Sequence, residues 1–207
     1  MPVSAEKHGQ QQPDRKSQIV AETINLAFEH GPDEVSTLRI AKRLNITQPA
    51  LYKHFASKDA IWAEVAAVLA RRIETNIETC LASRQPAEVR LRSLVLWHIE
   101  FLHEFPALPD IMMMRRTSTS FLPVRDHLQS EMGKLQKLIV ALVSEAQSNG
   151  VLRADIAASD AATLFLGMVQ SLVLRMIVSR DPACLLRDGA RLFDLQMTTL
   201  APREDKP

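Results

Sequence analysis

The chain is poor in the residues that covalent or metal-held scaffolds need. Its two cysteines, Cys80 and Cys184, are too few and too far apart for a disulfide framework or a clustered zinc site. A reducing, cytoplasmic setting is therefore expected. No Gly-rich phosphate loop, nucleophile elbow or cysteine pair is present, so neither enzymatic activity nor a bound cofactor is expected. The Glu100 to His103 turn has the Glu-x-x-His spacing but no second copy, and a carboxylate-bridged metal site needs one. The first twenty residues lack the apolar core of an export signal. The most apolar run, 161–178, is interrupted by Gln170, Ser171 and Arg175 and is short for a bilayer. It reads as a buried helix, with no membrane partner. No strand pattern and no internal repeat stands out, and net charge is only +1.

What is present is ordinary globular composition over 207 residues, with 46% apolar and 24% charged. That length holds one sizeable core, or a small head and a larger body. Residues 1–13, with Gln10, Gln11, Gln12 and Pro13 in a row, read as a disordered tail. From Asp14 onward apolar residues recur at three- and four-residue spacing. Val20, Thr23, Ile24, Ala27 and Phe28 mark a first helix, stopped at Gly31-Pro32. Ser36 or Thr37 caps a second helix ending near Leu44, Thr47 a short third, and Ser57 a fourth reaching about Ala82. Pro49 falls in the first turn of the third, where amides lack intrahelical partners anyway. A fifth helix follows Pro86 and runs to Glu104, and a short one holds Met112, Met113 and Met114. Thr117 to Ser120 reads as a loop, and Pro123 opens a long helix that Gly150 ends. Ser159 caps a very apolar helix to about Ser179, and the last runs from Ala183 to Leu200. The expected class is all-α.

The stretch Ser36–Lys58 carries Arg39, Lys42, Arg43, Lys53 and Lys58 and no Asp or Glu. It therefore holds +5 while the remainder of the chain sums to −4. A basic patch confined to one short segment is the electrostatic footprint of a phosphate-binding surface. Its spacing matches a helix-turn-helix. Ile40, Ala41 and Leu44 form the buried edge of the first helix of the pair, and Asn45 takes the tight turn, where positive φ is needed. Ile46 and Leu51 bury against that helix, leaving Gln48, Pro49, Ala50, Tyr52 and Lys53 to look outward.

With these residues the sequence closely resembles the tetracycline-repressor (TetR) family. The resemblance rests on Ile40-Ala41, on the run from Ile46 through Thr47, Gln48, Pro49, Ala50, Leu51, Tyr52, Lys53 and His54 to Phe55, and on Ser57-Lys58. Asn45 departs from the glycine usual in the family. The resemblance implies an N-terminal three-helix DNA-binding domain over 14–60 and a larger helical regulatory and dimerisation domain over 61–202. It further implies that Gln48, Pro49 and Tyr52 meet base edges while Thr37, Lys53, His54 and Lys58 hold phosphates. The chemistry agrees: Gln pairs bidentately with adenine, and Pro offers an apolar face to a thymine methyl.

The resemblance also implies a homodimer through the last two helices, a palindromic duplex operator, a cytoplasmic, nucleoid-associated location in a bacterium and a cavity for a small-molecule effector. Leu164, Phe165, Leu166, Met168, Val169, Leu172, Val173, Leu174, Met176 and Ile177 wrap one helix all round, more than one core face needs. Gly167 and Ser171, one turn apart, would let two such helices approach. The expected cavity lining is Trp97, His98, Phe101, Met112, Met113 and Phe121, with Met114 nearby and Arg115 or Arg116 available for an anion. Methionines suit adaptable apolar pockets. The expected function is a repressor released from its operator by an apolar ligand; the alternative is a DNA-bound adaptor that recruits a protein.

Overall fold

The computed structural model describes residues 14–113 and 122–203. The expected tail at 1–13, Met114, Arg115, Arg116, the loop at 117–120, Phe121 and the side chain of Met113 lie outside the described residues. All regular structure among the described residues is helical. The chain divides into two compact units, one ending at Val65 and the other beginning at Ala66.

In the first unit, α1 (Arg15–His30) starts where Asp14 accepts the Ser17 N–H at 2.7 Å. It buries Ile19, Val20, Thr23, Ile24, Leu26 and Ala27. The three- and four-residue spacing of these positions puts them on one face. Gly31 ends the helix at φ 88°, a left-handed value that Gly adopts without a Cβ clash. Pro32–Glu34 form a 3₁₀ turn that the sequence pattern did not suggest. Of the two candidate caps for α2 (Thr37–Arg43), Ser36 serves, accepting the Arg39 N–H at 3.2 Å.

The turn after α2 rests on Asn45, at φ 52°. With Asn45 left-handed, the Ile46 N–H reaches back to the Ala41 carbonyl at 2.9 Å. That bond satisfies one of the carbonyls a helix leaves open at its end. Thr47 caps α3 (Gln48–Tyr52) by accepting the Ala50 N–H at 3.3 Å. Leu51 and Ile40 are fully buried between the two helices, as are Ala41 at the crossing and Phe55 just beyond. Truncating a buried leucine of this kind to alanine costs about 2–5 kcal/mol. Ser57 then caps α4 (Lys58–Ala82), within which the boundary between the units falls.

The second unit holds the rest of α4, then α5 (Ala87–Glu104), α6 (Leu108–Met113), α7 (Leu122–Ser148), α8 (Ala158–Ser179) and α9 (Ala183–Thr199). Here α5 packs on α7 and α9, and α8 packs on α7 and α9. Gly189 of α9 sits where a Cβ would come within 2.9 Å of Ile99 on α5. The absence of a side chain is what lets those two helices approach. Arg92 on α5 pairs with Asp194 on α9 at 3.2 Å, and Asp188 on α9 takes Arg175 of α8 at 2.8 Å. One boundary differs from expectation. α8 begins at Ala158, not at a Ser159 cap; Ser159 lies in the first turn, where its carbonyl accepts the Thr163 hydroxyl.

Apolar side chains remain at the surface of the last two helices. Leu174 is 62% exposed and Val178 79% on α8, and Leu195 is 57% exposed on α9. Space beside Gly167 is open. By length and composition α8 could also cross a membrane. Its polar interruptions and its packing on α7 and α9 give no reason to read it so.

Candidate functional site

The outward face of the helix-turn-helix is built by the two caps and the Asn45 turn. Ser36 fixes the first turn of α2, and so the direction in which Thr37 projects. Thr47 fixes α3, whose buried edge is Leu51, and so turns Gln48, Pro49 and Tyr52 away from the core. Pro49, Tyr52, Lys53 and His54 are exposed; Gln48, Ala50 and Lys58 are half-buried. His54, which a packing role would have buried, stands in solvent.

Three of these side chains are linked. Gln48 Nε2 donates to Thr37 Oγ1 at 2.9 Å, and the Tyr52 hydroxyl lies 3.4 Å from the same oxygen. Thr37 is thereby nearly buried, at 8% exposure.

The basic charge of the segment is not all available. Arg43 is held by Glu22 at 3.0 Å and by Glu29 at 2.5 Å, both on α1. Hydrogen bonding to Arg43 lowers the Glu29 pKa, and Glu29 in turn raises that of Arg43. Arg39 lies 3.4 Å from Glu34. Lys42, Lys53 and Lys58 make no ion pair among the described residues. Of the five cations, the three lysines are left outside ion pairs among the described residues. Leu38, 62% exposed in the first turn of α2, stands near this face and was not singled out from the sequence.

In the body, the residues expected around one cavity separate onto two faces of α5. Trp97 stacks on Phe101 with ring centroids 4.9 Å apart, and Phe101 is buried. Arg72 of α4 lies 4.9 Å over the Phe105 ring and grips Glu104 at 2.5 Å. A groove there is lined by Val68, Arg71, Arg72, Thr75 and Trp97.

His98 and Met112 face a different space. They line a half-open cavity of about 610 Å³ with Leu102, Leu108 and Pro109, flanked by Met132 of α7 and by Gln170, Val173, Leu174 and Ile177 of α8, of which Gln170 and Leu174 are exposed. Burial holds the His98 imidazole neutral, its pKa lowered to about 4. Among the described residues no group of three or more His, Cys, Asp or Glu is placed to hold a metal ion.

Residues 19–65 match the model of bacterial regulatory proteins of the tetR family, and 119–188 match the tetracyclin repressor-like C-terminal domain. Together these stretches span more than half of the chain. The chain belongs to the tetR family. It is a DNA-binding transcriptional regulator, in a family whose members are not enzymes and bind DNA as dimers.

Among curated relatives, the nucleoid occlusion factor SlmA of Enterobacter sp. (strain 638) is 27% identical over 149 residues, 72% of this chain and 71% of its own. Among solved structures, the ketosteroid transcriptional regulator KstR2 of Mycobacterium tuberculosis superposes with a TM-score of 0.76 at 15% identity. That match covers 93% of this chain and 98% of KstR2. The regulator FadR of Bacillus subtilis, solved in complex with stearoyl-CoA, gives 0.65 at 14% identity, covering 88% and 97%. At such identities the likeness is one of fold.

Proposed function

We propose that the protein is a homodimeric repressor that holds a palindromic operator and leaves it when a small apolar molecule occupies the body. The observation that carries ligand control is the cavity itself. Its volume of about 610 Å³ lies in the range of small-molecule sites, and its walls are predominantly apolar.

In this reading residues 14–60 form the DNA-binding domain and 61–202 the ligand-binding and dimerisation domain. Gln48, Pro49, Ala50 and Tyr52 face base edges, and Thr37, Lys53, His54 and Lys58 face phosphates. The dimer forms through α8 and α9, a reading supported by the exposure of Val178 and Leu195, which line no part of the cavity. A ligand controls DNA binding only if it prefers one arrangement of the protein to the other. α4 carries Lys58 in its first turn and continues to Ala82 but contributes no lining residue to this cavity, so a ligand would act on it through the helices that do.

One observation favours a second reading. The SlmA relatives are described as nucleoid occlusion factors, and a DNA-bound adaptor that recruits a protein would use the same head without an inducer. The two separate in one titration. Fluorescence anisotropy of a labelled operator is followed while apolar compounds are added. Release by at least one compound supports the repressor, and retention through a broad apolar library supports the adaptor.

A further inference from the structure

The cavity contains one buried polar side chain without a partner, and it narrows the chemistry of what enters. His98 is 5% exposed and lines the cavity; among the described residues its ring makes no hydrogen bond, and because Nδ1 is shut off from solvent, the ring edge within a ligand's reach is that of Nε2. A polar ring edge that faces apolar walls without a partner costs free energy, of the order that a ligand hydrogen bond returns. The remaining lining is aliphatic or thioether, apart from Gln170 and Asp110. Among the described residues no Lys or Arg lines the cavity, and Asp110 already answers to Arg180 at 3.6 Å.

We infer that this cavity takes an uncharged, largely apolar molecule bearing one hydroxyl or carbonyl group, and that this group hydrogen-bonds to the His98 imidazole. The inference rests on the reading that a ligand occupies the body.

Charge decides against the alternatives. A carboxylate would lose its hydration among apolar walls, meet a neutral imidazole in place of a cation, and face the carboxylate of Asp110. An ammonium would be desolvated in the same way, and the one anion it could approach is engaged by Arg180. A neutral imidazole presents one N–H donor and one bare nitrogen, so it matches a hydroxyl in either tautomer and a carbonyl in one. Burial keeps His98 neutral across the physiological range.

The test uses the full chain and three ten-carbon probes, decan-1-ol, decanoate and decylamine, titrated calorimetrically at pH 8. Decan-1-ol is expected to bind about tenfold or more tightly than either ion. The His98→Leu variant should lose about tenfold toward the alcohol while the ions change little, and His98→Gln should recover part of the loss. The Gln variant also guards against a general packing defect, because it restores a donor and an acceptor. Decanoate or decylamine binding as tightly as the alcohol would overturn the inference and leave a ligand-controlled repressor intact. An alcohol affinity untouched by His98→Leu would overturn it as well. If no ten-carbon probe binds, the inference fails together with the ligand reading beneath it.

Discussion

Gln48 donates through Nε2 to Thr37 Oγ1 at 2.9 Å, so the side chain expected to read a base is tethered to the first residue of the preceding helix. The bond occupies one of the two amide N–H donors and leaves the other N–H and the amide oxygen outside any hydrogen bond among the described residues. On the proposed reading, Thr37 serves recognition by holding Gln48 as well as by approaching phosphate. Selecting duplexes from a random pool tests this. Gln48→Ala should change the preferred base at particular positions. Thr37→Val should broaden preference at those same positions. An unchanged selected sequence for both variants would remove Gln48 from the reading face.

Lys58 leads a contrasting set. It is half-buried at the start of α4 and outside any ion pair among the described residues, and the proposed reading assigns it to the DNA backbone. Lys58→Ala should weaken binding to every duplex alike and reduce the slope of log affinity against log salt by about one. Arg43→Ala should behave differently. Its guanidinium serves Glu22 and Glu29, so the expected loss appears in melting temperature rather than in the salt slope.

The left-handed turn at Asn45 gives a stability prediction. At φ 52° an alanine is strained and a glycine is not. Asn45→Ala should destabilise by about 1 kcal/mol, and Asn45→Gly should be neutral or mildly stabilising. Urea denaturation measures both.

Gly189 and Ile99 form a steric pair. An alanine Cβ at 189 would lie 2.9 Å from Ile99 Cδ1 and 3.0 Å from Cγ2. Helix propensity favours alanine by about 1 kcal/mol, while overpacking costs about 1–3 kcal/mol. A net loss in stability is expected for Gly189→Ala, with partial recovery on adding Ile99→Val, which removes Cδ1 and keeps Cγ2. Additive effects of the two substitutions would deny the contact.

His98 gives the body a pH dependence. Its folded pKa, lowered by burial to about 4, lies below its ordinary value of 6.5. Below pH 6.5 the unfolded chain takes up a proton that the folded chain refuses. Stability is therefore complete above 6.5 and is lost as pH falls toward 4, by up to about 3 kcal/mol. His98→Gln should flatten this window in denaturation measured from pH 4 to 7, and an equally steep decline in the variant would place the cause elsewhere.

The helix order was legible because its punctuation is chemical and local. Gly31-Pro32, Asn45, Ser57, Pro86 and Gly150 each end or begin a helix through their own backbone or side chain, and apolar spacing supplies the faces between them. Two features were not local. Charge counting credits Arg43 to the phosphate surface, because its carboxylate partners lie on α1, 14 or more residues away. Grouping Trp97 with His98 follows from adjacency in sequence, yet neighbours on a helix point about 100° apart. Trp97 and Phe101, four residues apart, share one face; His98 and Leu102 share the next, and only the latter reaches the cavity. Which neighbouring helix covers each face is a tertiary fact. For the same reason Met132 and the α8 wall of the cavity left no sign in the pattern.

The central claim is that two copies of this chain read one duplex through their Gln48–Lys58 surfaces. Sedimentation of the protein with a duplex selected from a random pool tests it most directly, repeated from low to moderate salt. The account predicts an even number of chains on each two-half-site duplex, a stable dimer without DNA, and affinity falling steeply as salt rises. A single chain per duplex, or a complex indifferent to salt, would contradict it.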